Sequence, residues 1–319
     1  MLRCAILDDY QDVALSIADW SPLAGRVEVE SFRDHIADRG KLAERLAEFD
    51  VAVAMRERTP FDAALFNRLP KLKLLVTTGM RNASIDLAAA AAHNVVVCGT
   101  DGGSLATAEL TWALILAAMR GLPGELASVR SGGWQKALGG EVGGKTLGVA
   151  GFGRLGSRVA RIGVAFGMNV AAWSRNLTDE RVAKVPGVTR AESLDALLRT
   201  ADVLTIHLVL GDATRGLIKA PELARMKPTA WLVNTSRGPI VDEEALVQAL
   251  RERRIAGAAL DVFEPEPLPA DHPFRTMDNV VASPHIGYVT REAYGEWYPK
   301  AVEDIVAWLD GNPVRVLKG

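Results

Sequence analysis

The chain has 319 residues, enough for about two domains, and 49% hydrophobic with 24% charged residues is an ordinary globular composition. Its formal net charge is −2, and the sequence has no stripe of basic residues that could bind the phosphates of a nucleic acid, so we expect no nucleic-acid partner. The longest apolar helix-like run, at 110–119, is too short to span a bilayer, and the first residues read as a strand rather than a signal peptide, so we expect no membrane partner.

The first hundred residues alternate between strand-like and helix-like runs, which predicts a parallel α/β sheet. The strand-like runs lie at 4–9, 27–32, 50–55, 72–79 and 95–100. The last helical run among them ends at Asn94, a residue type that readily takes the left-handed conformation at a helix end. Cys4 and Cys98 fall inside apolar strand runs, so we expect buried, reduced thiols and a cytoplasmic location.

Residues 101–143 interrupt this alternation with a long apolar helix pattern, which we expect to end near Gly121 and Pro123, and a glycine-containing loop. A domain boundary near residue 102 follows from this break. Strand–helix alternation then resumes at 145 and continues until an amphipathic helix at 291–310. The sequence therefore predicts an α/β protein of two doubly wound parallel-sheet units.

A glycine motif, GFGRLG, lies between an apolar strand run and a helical pattern within residues 145–174. Gly151, Gly153 and Gly156 have the spacing of a dinucleotide-binding turn, with Arg154 and Leu155 opening the helix. Such a turn lets the backbone approach a pyrophosphate, which the helix N-terminus then binds. Three glycines alone are a weak signal, and a turn packed for structural reasons is the alternative. The flanking strand and helix favour nucleotide binding.

Polar side chains follow three strand runs of the second half, where ligands of parallel sheets bind. Arg237 follows the first, Asp261, Glu264 and Glu266 follow the second, and His285 follows the third. An arginine can bind a substrate carboxylate, and a histidine paired with a carboxylate can transfer a proton near neutral pH. The alternatives are a surface ion pair for the arginine, a solvated loop for the glutamates and a turn for the histidine.

No His, Cys or Asp spacing in the sequence suggests a metal site, and no GxSxG nucleophile motif is present. The remaining four histidines lie at helix ends, at a strand end or before a proline, and none of them joins a cluster. We therefore expect chemistry that depends on an organic cofactor and requires no metal.

The segments GGKTLGVAGFGRLG, LVNTSRGPIVDEEAL, GAALDVFEPEPLP and SPHIGYVTREA together resemble the D-isomer-specific 2-hydroxyacid dehydrogenases. This family includes glyoxylate/hydroxypyruvate reductases and phosphoglycerate dehydrogenases, and the resemblance covers most of the chain. It implies a flavodoxin-like substrate domain formed by residues 1–101 and 287–319. A Rossmann domain that binds NAD(P) would be inserted at 102–286. The resemblance also implies a homodimer, for which the apolar 104–120 helix is our candidate interface.

The resemblance also assigns roles to the polar residues at the strand ends. Arg237 would bind the substrate carboxylate and carbonyl, His285 would protonate the carbonyl oxygen, and Glu266 would pair with His285. Hydride would pass between nicotinamide C4 and substrate C2. The other residues expected beside the cofactor are Thr107, Leu208, Thr235 and Asp261.

Cofactor choice depends on the end of the second strand of the nucleotide unit, where an acidic residue would bind the adenosine ribose. This chain has Ser174, Arg175 and Asn176 there. A carboxylate would repel a 2′-phosphate, whereas these side chains can hydrogen-bond to it. We therefore expect NADP to be preferred over NAD. The alternative is that Arg175 points into solvent and either cofactor serves.

Residues that relatives use for substrate correspond here to Arg56, to the loop with Gly79, Met80 and Arg81, and to Tyr288. Arg81 replaces a usual glycine and Tyr288 a usual small residue, so both are candidates for recognising a larger or more anionic substrate. We expect reduction of small 2-keto acids such as glyoxylate or hydroxypyruvate. Oxidation of 3-phosphoglycerate or another D-2-hydroxy acid is one alternative. A non-catalytic, nucleotide-sensing protein of the corepressor type is the other.

Overall fold

A computed structural model describes residues 1–103 and 105–318 of the chain. It divides into two compact units, one formed by Met1–Ser104 with Val289–Gly319 and the other by Leu105–Tyr288. The breaks thus fall at 104 and 288, where the sequence led us to expect 101 and 286. The assignment of substrate to one unit and cofactor to the other stays a prediction.

The first unit contains a five-stranded sheet in the order β2-β1-β3-β4-β5, with every pair parallel. Its strands are β1 (Leu2–Ile6), β2 (Val27–Ser31), β3 (Val51–Ala54), β4 (Leu74–Thr77) and β5 (Val96–Gly99). Its helices are α1 (Ala14–Ile17), α2 (Arg39–Leu46), α3 (Ala63–Phe66), α4 (Leu87–Ala92) and α12 (Arg291–Leu309). The central strands β3 and β4 are buried at every residue, as expected of parallel strands covered on both faces.

The second unit contains a seven-stranded parallel sheet in the order β12-β11-β10-β9-β6-β7-β8. Its strands are β6 (Thr146–Ala150), β7 (Asn169–Trp173), β8 (Val188–Arg190), β9 (Val203–Ile206), β10 (Trp231–Asn234), β11 (Gly257–Leu260) and β12 (Val280–Ala282). Its helices are α5 (Ala106–Met119), α6 (Leu122–Arg130), α7 (Arg154–Ala165), α8 (Asp179–Ala183), α9 (Leu194–Thr200), α10 (Ala220–Leu223) and α11 (Glu243–Arg251). The strand order reverses between β6 and β9, which opens a crevice at their carboxyl ends. The predicted fold class, two parallel-sheet α/β units, is confirmed.

The sequence pattern did not reveal three elements, β8, α8 and α6. Helix α8 has a single buried residue, Val182, so it shows no apolar face in the sequence. Strand β8 is an edge strand with two exposed residues, so it lacks a buried apolar run. Helix α6 has Pro123 in its first turn, where proline is tolerated because those N–H groups have no intrahelical acceptor. The preceding helix ends at Met119, close to Gly121 as expected, but the sequence pattern did not reveal that a second helix begins at Leu122.

Helix α5 packs against α7, β10 and β11 of its own unit. Its apolar side chains, including Trp112, Leu114 and Ile115, are buried in the core there. These side chains are therefore buried without a partner subunit, and an interface through this helix stays a prediction. None of the helices in the described part of the chain has the length and apolar character needed to cross a bilayer.

One carboxylate in the core of the first unit lacks a full set of partners. Asp304 on α12 is completely buried, and its Oδ1 accepts a hydrogen bond from Arg315 Nε at 2.9 Å. Its Oδ2 has no hydrogen-bond partner among the described residues. Burial raises the pKa of Asp304 to about 7, although the Arg315 charge acts in the opposite direction. Between the pKa of the unfolded carboxyl, about 4, and that of the folded state, about 7, the folded protein therefore retains a proton that the unfolded chain has released.

This retained proton makes stability depend on pH. The unfolded carboxyl ionises at about pH 4, so the free energy of unfolding should fall as pH rises from there to about 7 and then level off. Asp304→Asn should remove this slope. The melting temperature of the variant should therefore rise relative to that of wild type as the pH increases from 5 to 7. Thermal unfolding across pH 5 to 8 measures the gain, with Asp310→Asn just beyond the same helix as the matched control. A gain for Asp304→Asn that does not vary with pH would contradict the prediction.

Candidate active site

The glycine turn after β6 separates two structural glycines from one that faces open space. Gly151 has φ +103°, and a Cβ there would lie 2.5 Å from the carbonyl group of His207. A Cβ at Gly156 would lie 1.9 Å from the carbonyl oxygen of Gly151. A Cβ at Gly153 would meet nothing within 4 Å. Protein packing explains the first two glycines, whereas Gly153 preserves space for a group from outside the protein.

Helix α7 begins at this open space. No side chain caps its N-terminus at Gly153, and Arg154 and Leu155 form its first residues. Uncapped N–H groups and the positive end of the helix dipole favour an anion. A bare backbone facing open space at a helix N-terminus suits a pyrophosphate, so the residues present fit a dinucleotide cofactor.

No carboxylate stands at positions 174–176, directly after β7. Ser174 is half-buried, Arg175 and Asn176 are exposed, and Arg175 Nη2 donates to the carbonyl oxygen of Ala213 at 3.4 Å. Sequence reasoning missed Arg181 on α8, whose Nη2 donates to the carbonyl oxygen of the glycine-turn residue Phe152 at 3.0 Å. Nothing in the sequence indicates that this side chain folds back onto the turn.

The turn after β10 carries Arg237 and is fixed by its own hydrogen bonds. Asn234 Nδ2 donates to the carbonyl oxygen of Arg237 at 2.9 Å, and Ser236 N–H donates to Asn234 Oδ1. The Ser236 hydroxyl donates to the carbonyl oxygen of Leu208, so the loops after β9 and β10 are joined. Thr235 lies 2.8 Å, Oγ1 to Oγ1, from a threonine of α5, Thr111.

His285 and Glu266 form a close pair. His285 Nδ1 lies 2.5 Å from Glu266 Oε2, and Glu266 Oε1 accepts from the N–H of Phe263 at 2.8 Å. An ionised carboxylate can only accept hydrogen bonds, so Nδ1 carries the hydrogen and Nε2 is left for another partner. Within the described chain no protein hydrogen bond to Nε2 is formed. His285 can therefore exchange a proton at Nε2 while Glu266 holds its ring.

Asp261 fixes the backbone around His285. Its Oδ1 accepts from the Ser283 hydroxyl at 2.6 Å and from Ile286 N–H, and its Oδ2 accepts from Gly287 N–H at 2.8 Å. Burial raises the pKa of Asp261, whereas these three donors and the His285 charge act in the opposite direction. Thr107 adds a hydrogen bond from its hydroxyl to the carbonyl oxygen of Gly287. The contacts of Asp261 make it an anchor for the 283–287 loop, and no pattern in the sequence indicates the role of Ser283.

The substrate candidates of the first unit lie after β3 and β4. Arg56 Nη1 donates to the carbonyl oxygen of Thr78 at 3.0 Å and lies 1.7 Å from where a Cβ of Gly79 would be. Glycine at 79 therefore makes room for this guanidinium group. Met80 and Arg81 are exposed. Tyr288 belongs to the second unit, where it is buried beside His285.

No group of three His, Cys, Asp or Glu side chains that could hold a metal ion is found within residues 1–103 and 105–318. The reactive groups identified above are thus a guanidinium, a carboxylate and an imidazole. They follow β10, β11 and β12, which are neighbours in one sheet.

Residues 112–287 match the family model of the D-isomer specific 2-hydroxyacid dehydrogenase, NAD binding domain. A glyoxylate reductase of Aeropyrum pernix is 45% identical over 79% of this chain and 77% of its own length. D-3-phosphoglycerate dehydrogenase of Bacillus subtilis is 37% identical over 98% of this chain, which spans only 58% of that relative. The crystal structure of a phosphoglycerate oxidoreductase from Vibrio cholerae has a TM-score of 0.92 at 37% identity, covering 98% of this chain and all of that one.

The anchoring of the 283–287 loop can be tested without assuming an activity. Asp261→Asn keeps the shape of the side chain but places an amide NH₂ group against a backbone N–H. We therefore expect amide hydrogen exchange at Ile286 and Gly287 to accelerate by about tenfold, the equivalent of one lost hydrogen bond. Hydrogen-exchange mass spectrometry of this segment measures the effect, with Asp242→Asn at the N-terminus of α11 as control. Unchanged exchange would rule out the anchoring role.

Proposed function

Since the chain belongs to the D-isomer-specific 2-hydroxyacid dehydrogenase family, as its motifs predicted, we propose that it reduces small 2-keto acids such as glyoxylate or hydroxypyruvate. Membership of the family confirms the expected enzyme class, an oxidoreductase of 2-hydroxy acids with a nicotinamide cofactor. The observation that carries the proposal is the His285–Glu266 pair, 2.5 Å apart, on loops next to that of Arg237. This set supplies one proton donor and one fixed cation.

In the proposed reaction, His285 donates the proton at Nε2 to the carbonyl oxygen of the keto acid. Glu266 accepts the hydrogen bond from Nδ1 and stabilises the positive charge that the ring carries before the transfer. The bound nicotinamide supplies the hydride that adds to C2. The C=O π bond breaks while one C–H and one O–H bond form, so the keto acid is reduced and the cofactor oxidised.

Arg237 has the complementary role of binding the substrate carboxylate. Its planar guanidinium group can form two parallel hydrogen bonds, which orient the carboxylate as well as bind it. The turn that carries it is fixed by Asn234 and Ser236. A fixed cation at this place would hold the adjacent carbonyl oxygen near His285 without a further ordering cost.

The cofactor would be held by the bare turn at Gly153 and the uncapped start of α7. We propose a preference for NADPH because positions 174–176 include Arg175 and no acidic residue that would repel a 2′-phosphate, and because Arg181 folds back onto the glycine turn. Thr107, Leu208, Thr235 and Asp261 remain candidates for the nicotinamide side.

The substrate loop of the first unit supports a carboxylic acid substrate. Arg56 lies over the backbone at Gly79, and the exposed Met80 and Arg81 follow. We propose that this loop takes part in substrate recognition, with Arg81 available for an anionic group other than the carboxylate that Arg237 binds. Asn82, which the sequence did not single out, supports the loop by donating to the carbonyl oxygen of Arg56 at 2.6 Å.

We also propose a homodimer, for which α6 offers a further candidate interface besides α5. Several exposed apolar side chains of the second unit cluster in sequence on α6 and the loop after it, and they include Leu126, Val129, Trp134 and Leu138. Exposed apolar groups of this size favour burial against a partner. The loop is held in place by Glu125, which accepts from the N–H groups of residues 136 and 137.

The proposed function is tested by oxidation of reduced cofactor, followed at 340 nm, with glyoxylate, hydroxypyruvate, pyruvate and phenylpyruvate. His285→Asn should lower kcat by about a thousandfold or more, because the proton donor is lost, while cofactor binding persists. Glu266→Gln should lower kcat less, because the ring stays in place without its charge partner. Cofactor binding without turnover in wild type would favour a sensing role, and turnover only in the direction of 3-phosphoglycerate oxidation would favour the other alternative.

Cofactor choice is tested by comparing kcat/KM for NADPH and NADH. Wild type should prefer NADPH, and Arg175→Ala should lower the NADPH to NADH ratio by about tenfold, because a charge-assisted hydrogen bond to the 2′-phosphate is lost. Arg190→Ala is the matched control, since Arg190 is an exposed arginine of the same unit that pairs with Asp179. A wild-type preference for NADH would contradict the proposed cofactor.

A further inference from the structure

Tyr288 lies against the imidazole of His285. The two ring centroids are 5.4 Å apart with planes at 71°, an edge-to-face arrangement. Only 9% of Tyr288 is exposed, although it stands three residues beyond His285 in a loop. Edge-to-face pairs at this separation are attractive beyond the area they bury. The phenol ring is therefore in direct packing contact with the imidazole.

The backbone that carries Tyr288 is fixed as firmly as that of His285. Asp261 accepts from the N–H groups of Ile286 and Gly287, and Thr107 donates to the carbonyl oxygen of Gly287. His285 itself has φ +51°, in the left-handed region that a non-glycine residue adopts only when its surroundings hold it there. The two rings are thus presented to each other by one rigid loop.

A single hydrogen bond does not fix an imidazole. The bond from Nδ1 to Glu266 holds one corner of the ring, but the ring can still swing about that corner and move Nε2. A large side chain packed on one side of the ring blocks this swing and also excludes water from it. Tyr288 supplies both effects.

We propose that Tyr288 is a positioning residue for His285, and that it fixes the direction of Nε2 for proton transfer. This inference rests on the proposed function, in which His285 is the proton donor. It assigns Tyr288 to the acid–base group and not to recognition of the substrate. The aromatic ring carries the effect, so the hydroxyl is dispensable.

The test compares Tyr288→Phe, Tyr288→Leu and Tyr288→Ala with wild type. Phe should keep kcat, whereas Ala and Leu should lower it by about tenfold or more, since small misplacements of reacting groups are costly. KM for each 2-keto acid and the dissociation constant of the cofactor should stay unchanged. Phe166→Ala, which removes a half-exposed aromatic ring elsewhere in the unit, is the control. The leucine variant serves if the alanine variant does not fold.

Three outcomes would overturn the inference. A changed KM pattern among the keto acids with kcat retained would make Tyr288 a substrate contact. A lower melting temperature with kcat of the folded protein retained would make it a packing residue. Loss of kcat in Tyr288→Phe equal to that in Tyr288→Ala would assign the effect to the hydroxyl.

A second readout separates this inference from the proposed function. The Cε1–H signal of His285, assigned by its loss in His285→Asn, reports the state of the ring without any substrate. It should be unchanged in Tyr288→Phe and shifted or broadened in Tyr288→Leu. An inactive wild type with this pattern would defeat the proposed function alone, whereas an unchanged signal in the leucine variant of an active enzyme would defeat the positioning role alone.

Discussion

The hydrogen bond between His285 Nδ1 and Glu266 Oε2 is the contact on which the candidate site depends. It requires that two loops after neighbouring strands, β11 and β12, meet at one edge of the sheet. Parallel pairing alone brings the loops together, but it does not fix their side chains. Asp261 fixes the backbone beside His285 through its carboxylate, and the Phe263 N–H orients the Glu266 side chain.

Both units contain a place where the strand order reverses, and the two places have opposite character. Between β1 and β3 of the first unit the crevice is filled by the protein itself, since Asp8 accepts from the Thr59 hydroxyl at 2.6 Å and from a ring nitrogen of His35. Between β6 and β9 of the second unit the turn is bare, because Gly151 and Gly153 have no side chains. The rule that ligands bind at such crevices therefore applies to the second unit, where the protein leaves the space free.

Much of the site could be predicted because its residues lie directly after strong strand patterns. Arg237, Glu266 and His285 each follow an apolar run, so the sequence indicated which residues share an edge, although not the distances between them. Ser283 and Arg181 could not be found in this way, because each acts through one side-chain hydrogen bond that has no sequence period. The elements that were missed, β8, α8 and α6, are those whose apolar residues are few or exposed.

The three glycines of the turn are required for different reasons, and this difference affects which of them can be replaced as homologues diverge. A Cβ at Gly151 or Gly156 would clash with the protein's own backbone, so both glycines should be retained in any homologue that still folds. At position 153 only a bound group in the open space would require glycine, since a Cβ there would meet no protein atom within 4 Å. A copy that had abandoned its nucleotide could accept a side chain at 153 while leaving the other two untouched. Loss of Gly153 would thus distinguish a homologue that no longer binds the cofactor from one that still does.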